Sequence, residues 1–178
     1  MKHEVETELK VLLSREDFEK LASRYAPLHF EHQHNIYFVT NDIKHYAFRI
    51  REKNGEKLFT LKEHKDGKTI EHEKVFTGEL EDDPEIREVL AGFEIFPPYK
   101  VIGELDTERA VYDTGKAELC FDINNYNGIT DYEIEYEIYK DHKYKKAFNK
   151  IMSEAEISYD LNKVSKYKRC VNTLKEPE

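Results

Sequence analysis

Glu4-Val5-Glu6-Thr7-Glu8-Leu9-Lys10, near the start of the chain, alternates charged with mostly apolar residues at a strict period of two. Side chains two apart share a face of a β-strand, so the pattern predicts a strand with Val5 and Leu9 on one face and the charges on the other. Like carboxylates at this spacing lie about 7 Å apart and repel each other, and glutamate is a poor strand former. The repeat therefore favours a face that meets a metal ion or a basic partner, and the alternative is a strand with one solvated face.

Length and composition predict one small, charge-rich domain. The 178 residues suit a single domain spanning 1–178. The hydrophobic fraction is 39% and the charged fraction is 37%, so a small core has to be built from two-sided strands. The formal net charge of −9 argues against general binding to nucleic acid or to anionic membranes, although a local basic lining is still able to hold an anion.

The cysteine content and the hydropathy of the chain predict a cytoplasmic protein. There are two cysteines, Cys120 and Cys170, no apolar run long enough to span a membrane and no secretory leader pattern. Neither cysteine belongs to a C-x-x-C motif, so we expect both to be small core residues. His32 and His34 would share a strand face, but without a nearby cysteine we expect them to be solvated.

Alternating strands recur along the chain, with charged faces of both signs. The segment 47–51 has a cationic face, and the Asn54-Gly55 pair after it is a strong signal for a two-residue hairpin. The segment 131–138 repeats the opening pattern, with carboxylates on one face and large hydrophobes on the other. The charged residues on the predicted inner faces are Glu4, Glu6, Glu8, Lys10, Arg49, Arg51, Lys62, Glu71, Glu73, Arg109, Asp122, Glu133, Glu135 and Glu137.

Short helices accompany these strands. Ser14 begins one helix, Asp83-Pro84 begins a second, Asp141 is expected to cap a third, and a short fourth helix is predicted near 165–169. About eight strands joined by short turns favour an antiparallel sheet that closes on itself. We therefore predict an α+β fold, an eight-stranded antiparallel β-barrel or tunnel with a charged interior and flanking helices on its apolar outer face.

The mixture of acidic and basic faces predicts metal-assisted phosphoryl chemistry. Hard divalent cations such as Mg²⁺ prefer carboxylate oxygens, whereas arginine and lysine suit phosphate oxygens. Such chemistry requires at least an acidic cluster that faces a basic cluster. The seven glycines lie mainly in turns and form no glycine-rich phosphate loop, which argues against a P-loop enzyme.

Glu6-x-Glu8-x-Lys10 opens a series of motifs that spans nearly the whole chain. By itself this short pattern has many chance matches, and the order of the later motifs makes it specific. These motifs are Tyr37-Phe38-x-Thr40, Phe48-Arg49-x-Arg51, Thr60-Leu61-Lys62, Arg109, Asp122, the late Glu-x-Glu strand and Ser165-Lys166. The series resembles the CYTH superfamily, also called triphosphate tunnel metalloenzymes, which includes thiamine triphosphatase, inorganic tripolyphosphatases and class IV adenylate cyclases.

The resemblance implies a β-tunnel that binds a triphosphate along its axis. It implies metal binding by Glu6 and Glu8 with one or two of Glu133, Glu135 and Glu137, and Asp122 as a further member of the metal shell. It implies phosphate binding by Lys10, Arg49, Arg51, Lys62, Arg109 and Lys166. Lys62 and Tyr37 resemble the pair that assists the leaving group or the water, and Lys10 is counted with them as catalytic. A second metal ion would activate the attacking water.

Two positions depart from the family pattern. Val39 stands where the family often has Asp after the tyrosine-aromatic pair, so one acidic or structural interaction is missing or moved. The late acidic strand has three glutamates in place of a clean pair, which leaves the register of metal binding open. For Glu4, Glu71, Glu73 and Glu118, a solvated strand face and a functional role are equally supported.

The function predicted from these residues is hydrolysis of an inorganic or organic triphosphate, dependent on Mg²⁺ or Mn²⁺. Two alternatives stay open: a class IV-type adenylate cyclase that expels pyrophosphate from ATP, and a non-catalytic module that binds polyphosphate or nucleotides, which Val39 keeps open. We expect a small-molecule triphosphate as the partner and neither nucleic acid nor a membrane. A homodimer and the identity of the physiological substrate are left open by the sequence.

Overall fold

The computed structural model of the protein describes residues 1–162 and 164–174, and its strands form one antiparallel sheet. The strands are Lys2–Glu6 (β1), Glu8–Leu13 (β2), Glu31–Phe38 (β3), Tyr46–Lys53 (β4), Glu56–Lys65 (β5), Lys68–Phe76 (β6), Val101–Asp113 (β7), Ala117–Tyr126 (β8) and Ile129–Ile138 (β9). The α-helices are Arg15–Ser23 (α1), Pro84–Gly92 (α2), Tyr144–Glu154 (α3) and Lys166–Asn172 (α4).

The order of strands in the sheet is β1-β6-β5-β4-β3-β7-β8-β9-β2. The predicted class, an antiparallel sheet with flanking helices, is confirmed, but the described residues form nine strands where we predicted eight. The difference lies at Thr7, where the opening stretch divides: residues up to Glu6 pair with β6, and residues from Glu8 pair with β9. Only this one residue separates the first and last strands of the order along the chain.

Two-residue turns set the register of the hairpins. Asn54 and Gly55 have φ values of 51° and 77°, as the predicted hairpin turn between β4 and β5 requires. Asn127 and Gly128 repeat this geometry between β8 and β9, with φ values of 48° and 78°. A shift of one residue would turn every charged side chain to the opposite face, so these turns determine which residues share a face.

The described residues divide into two compact units. The first comprises Met1–Glu6, Gln33–Leu105 and the chain from Tyr167. Its apolar core lies between α2 and one face of β3 to β6, and the most deeply buried members are Phe48, Phe59, Leu61, Ile86 and Leu90. The helix α2 begins at Pro84, where the sequence predicted its start, and the Asp83 carboxylate caps it by accepting a hydrogen bond from the backbone N–H of Ile86 at 3.0 Å.

The second unit comprises Thr7–His32 and Asp106–Lys166. Its core packs α1 and α3 against β2, β8 and β9, and it includes Phe18, Leu21, Phe121, Ile134, Phe148 and Met152. Ser14 caps α1 through Asp17 as predicted, with a distance of 3.1 Å from the Ser14 hydroxyl to the Asp17 N–H. The expectation that Asp141 caps α3 is wrong, because the residue before this helix is Lys143 and its side chain makes no capping bond.

In both units the apolar side chains of the strands pack on the helices, and the opposite strand faces carry most of the predicted site residues. None of the helices in the described part of the chain is long and apolar enough to cross a membrane.

Candidate functional site

Two arginines lie on the polar face of β4 in the first unit. Arg49 and Arg51 are two residues apart, so they project from the same side of the strand. The Nε of Arg51 donates to Oδ1 of Asn35 on the neighbouring β3 at 2.9 Å. Asn35 is fully buried, and its own amide donates to the backbone carbonyl of Leu105 at 3.2 Å. Asn35 is thereby fixed from two sides and in turn orients the Arg51 guanidinium.

Arg49 offers a donor that the described residues leave unused. Its Nε is buried and has no hydrogen-bond partner within 1–162 and 164–174. A buried charged donor is costly unless an acceptor meets it, so the group is suited to a ligand oxygen. Tyr37 lies directly across from Arg49 on β3, and its ring packs against Tyr167 with a centroid distance of 5.2 Å.

Lys62 of β5 is held between carboxylates from two other strands. Its Nζ donates to both carboxylate oxygens of Glu6 on β1 at 3.0 Å, and it lies 2.9 Å from Oε1 of Glu71 on β6. All three side chains are mostly withdrawn from solvent. The ammonium group therefore has a defined position, and two negative charges are already beside it.

Carboxylates gather on one face of β2, β8 and β9 in the second unit. The strand register places Asp122 opposite Glu133, and Glu8 opposite Glu137. Asp122 and Glu133 are fully buried and Glu135 is nearly so. Two sets of three carboxylates each offer oxygen atoms within 4.8 Å of one another: Glu8 with Glu135 and Glu137, and Asp122 with Glu133 and Glu135.

Three cations lie among these carboxylates. Arg109 binds Asp122 through two hydrogen bonds of 2.7 and 2.6 Å, and the same guanidinium reaches Glu135 at 2.7 Å. Lys166 lies 2.8 Å from Asp122 and 2.5 Å from Glu133, and it also contacts Glu135. Lys10 is paired with Glu8 at 2.9 Å.

The balance of charge differs across this cluster. Burial opposes ionisation of Glu135, but Lys166 and then Arg109 outweigh it and hold the pKa of Glu135 well below its usual range. Burial raises the pKa of Glu137 to about 7, and the negative charges of Glu135 and Glu8 add to the rise, against the opposing effect of Arg109. Glu137 therefore lies in a part of the cluster where the cations do not offset burial and the neighbouring negative charges.

The donor set fits a hard divalent cation. Glu8, Glu135 and Glu137 offer only carboxylate oxygens, which are the ligands that Mg²⁺ and Mn²⁺ prefer. Both sets share Glu135, which contacts Lys166 and Arg109. The second set contacts Lys166 through Asp122 and Glu133 as well. Burial raises the pKa of the nearby Cys120 thiol, so this cysteine does not supply a thiolate for a softer metal.

The structure brings the predicted site residues together within each unit. The first unit contains Glu6, Tyr37, Arg49, Arg51 and Lys62, and the second contains Glu8, Lys10, Arg109, Asp122, Glu133, Glu135, Glu137 and Lys166. Lys166 and Arg109, which the resemblance assigns to phosphate, contact carboxylates here. Asn35 was missed, although its place two residues before Tyr37 on the same strand was a usable signal.

The structure shows the surroundings of Val39, which departs from the family pattern. Its side chain is 41% exposed and follows the last residue of β3, and its backbone N–H donates to the carbonyl of Lys100 at 2.7 Å. Val39 thus occupies an exposed position directly after β3, and its hydrogen bond to Lys100 is made by the backbone.

Comparison with known proteins identifies the family. The profile of the CYTH domain matches residues 4–171. The chain belongs to the CYTH family. A relative from Bacillus subtilis, the candidate triphosphatase YjbK, is 32% identical, and the match covers 86% of this CYTH chain and 88% of that protein. The resemblance inferred from the motifs is confirmed.

Solved structures share the fold of this CYTH chain. The crystal structure of a candidate adenylate cyclase from Bacillus halodurans has a TM-score of 0.83 and 31% identity, covering 95% of this chain and 98% of the other. HpAC1 from Hippeastrum, a candidate adenylyl cyclase described as having a dominant triphosphatase activity, has a TM-score of 0.72, 23% identity and coverage of 97% of both chains. At that identity, the second likeness concerns the fold alone.

Proposed function

We propose that this CYTH protein hydrolyses a small-molecule triphosphate, inorganic or organic, and that the reaction depends on Mg²⁺ or Mn²⁺. The observation that carries the proposal is the pairing of chemistries: a buried arginine donor without an acceptor among the described residues of the first unit, and a group of carboxylates in the second. The candidate triphosphatase YjbK, at 32% identity, supports the same class of reaction.

Arg49 and Arg51 would bind phosphate oxygens. Their planar guanidinium groups match pairs of phosphate oxygens, and they keep their charge at any working pH. Asn35 keeps Arg51 oriented through the 2.9 Å bond, which reduces the ordering cost of binding. Lys62, held beside Glu6, is the group we assign to the leaving phosphate or the water, with Tyr37.

Glu8, Glu135 and Glu137 would hold the divalent cation. When bound, such a cation supplies neutralisation of the charge that develops on the phosphate oxygens. Lys10 orients the Glu8 carboxylate through the 2.9 Å pair. Arg109 contacts both Glu135 and Asp122 and orients these carboxylates.

Adenylate cyclase chemistry is the second candidate, because the Bacillus halodurans structure is described as a candidate adenylate cyclase. Both reactions require the three phosphates to be bound, and they differ in the product that is released. A hydrolase releases orthophosphate, whereas a cyclase releases pyrophosphate and a cyclic nucleotide.

Phosphorus NMR of the products tests the proposal. The purified protein is incubated with inorganic triphosphate, thiamine triphosphate or ATP, each with Mg²⁺ or Mn²⁺. We expect orthophosphate and a shortened chain. Glu8→Gln should lower the rate by roughly a hundredfold, because it disturbs the set of metal ligands. Glu4→Gln is the matched control, since Glu4 belongs to the same stretch and is exposed.

Other products would change the conclusion. Pyrophosphate from ATP would replace the hydrolase with a cyclase. Intact substrate together with a raised melting temperature would show a binding module, and equal rates for Glu8→Gln and wild type would exclude Glu8 from the metal site.

A further inference from the structure

Glu71 is a carboxylate in the middle of the cationic face of the first unit, and the proposed function gives it no role. It lies on β6 directly opposite Lys62 of β5, and its Oε1 is 2.9 Å from the lysine Nζ. Its side chain is only 20% exposed, so the pair is largely withdrawn from water. Such a pair has an effect on any anion that approaches the same lysine.

The electrostatic surroundings of Glu71 are those proposed for the phosphates. Burial opposes ionisation of Glu71, but Lys62, followed by Arg49 and Arg51, outweighs burial and lowers its pKa. Glu71 is therefore ionised at neutral pH. The three cations that stabilise this negative charge are the same three that we assign to triphosphate in this unit.

Glu73 provides an internal comparison. It lies two residues further along β6 on the same face, opposite Thr60, and its Oε1 accepts a hydrogen bond from the Thr60 hydroxyl at 3.2 Å. The two glutamates thus share a strand, a face and a side-chain length. On β5 they differ in the residue directly opposite, which is the Lys62 ammonium for Glu71 and the neutral Thr60 hydroxyl for Glu73. On β1 the opposite residues are Glu4 and Lys2, respectively.

A phosphate oxygen that approaches Lys62 meets the negative charge of Glu71 at close range. Like charges repel strongly at a few ångströms in a partly desolvated site. A free triphosphate brings its full negative charge against this repulsion. A triphosphate that carries a divalent cation brings less net charge, so the repulsion is smaller.

We propose that Glu71, together with Glu6, holds Lys62 before substrate arrives, and that the charge of Glu71 makes the site select metal-complexed triphosphate over the free anion. Glu71 is thereby a positioning and specificity-determining residue. It has this role only if the proposed function holds, because triphosphate must bind the cations of the first unit.

Isothermal titration with the non-hydrolysable imido analogue of inorganic triphosphate tests the role of Glu71, because the proposed activity would consume inorganic triphosphate itself in Mg²⁺; the analogue is the triphosphate of this experiment. Wild type, Glu71→Gln and Glu73→Gln are each titrated in EDTA and in excess Mg²⁺. Glutamine keeps the size of the side chain and removes its charge. Glu71→Gln should bind free triphosphate about tenfold more tightly than wild type, and change by less than about threefold in Mg²⁺. Glu73→Gln should stay near wild type in both conditions.

The ratio of affinities with and without Mg²⁺ separates selection from a structural effect, because general loosening of the fold weakens binding in both conditions. Equal affinities of Glu71→Gln and Glu73→Gln for free triphosphate would overturn the inference, and so would weaker binding by Glu71→Gln. Wild-type protein that binds no triphosphate in either condition would overturn the proposed function, and the inference with it. Wild-type binding in Mg²⁺ without any effect of Glu71→Gln leaves the proposed function intact and removes only the inference.

Discussion

Single residues in this protein take their chemistry from the partners that the sheet places beside them. Lys166 shows this clearly. In the sequence it is one lysine among many, but in the fold its ammonium lies among Asp122, Glu133 and Glu135, all of them buried. Ion pairs in such surroundings are costly to break, because removal of one partner leaves buried charge uncompensated. The charges of the lysine and of the carboxylates therefore stabilise one another.

Glu137 gives a pH-dependent prediction for the metal-free protein. Its folded-state pKa is about 7 against an ordinary value of 4.5, so the folded state binds its proton more readily than the unfolded chain does. The free energy of unfolding should therefore fall as pH rises from about 4.5 to about 7, with the full loss present above 7. Glu137→Gln removes this titration, and its stability relative to wild type should rise across that window.

Urea unfolding in EDTA at several pH values measures this effect. The side chain of Glu137 is 35% exposed, so solvent screens part of the repulsion and reduces the size of the difference. Glu88→Gln is the control, since Glu88 is an exposed carboxylate on α2. Parallel stability curves for wild type and Glu137→Gln would contradict the prediction.

Among the secondary-structure elements, α2 shows how one capping residue stabilises the start of a helix. Asp83 accepts from the Ile86 N–H and also lies 3.0 Å from the ammonium of Lys74 on β6. Asp83→Ala should therefore lower the free energy of unfolding by about 1 kcal/mol through loss of the cap alone. Asp82→Ala, one residue earlier and exposed, should change it by less than about 0.5 kcal/mol. Chemical denaturation measures both variants, and equal losses would refute the capping role.

Elements set by local chemistry were predictable from the sequence. The Asn54-Gly55 turn and the caps at Ser14 and Asp83 depend on residues within three or four positions, and the structure contains each of them. The break at Thr7 was not predictable in this way. The alternation continues through it without interruption, and what changes is the partner strand, from β6 to β9. A pattern of period two records which face a residue takes and carries no information about the neighbour.

The candidate site likewise has features that local sequence predicted and contacts that it did not predict. Alternation predicted that Arg49, Arg51 and Lys62 share a face, because this follows from spacing and one hairpin. It did not predict that Arg109 binds Asp122 and Glu135, since those contacts depend on the register of three strands. The buried amide of Asn35 was missed for a related reason: its value lies in orienting an arginine on another strand.

For the molecule as a whole, binding of substrate should increase the free energy of unfolding. The chain has a net charge of −9, so under the proposed function a triphosphate depends on local cations for binding, and a divalent cation reduces the negative charge that the triphosphate brings. A ligand at a hundred times its Kd adds about 2.7 kcal/mol to the free energy of unfolding if it binds only the folded state. Triphosphate with Mg²⁺ should therefore raise the melting temperature clearly, and each alone should raise it less.

Variants in either unit should reduce that rise. Arg51→Gln removes a cation that we propose binds phosphate, and Glu8→Gln removes a carboxylate that we propose binds the metal, so each should lose most of the shift in differential scanning calorimetry. Arg15→Gln is the control for net charge, because Arg15 is exposed on α1 and paired only with Glu19 in the described contacts. If Arg15→Gln lost as much of the shift as Arg51→Gln, the stabilisation would follow overall charge and the two polar faces would have no specific part in it.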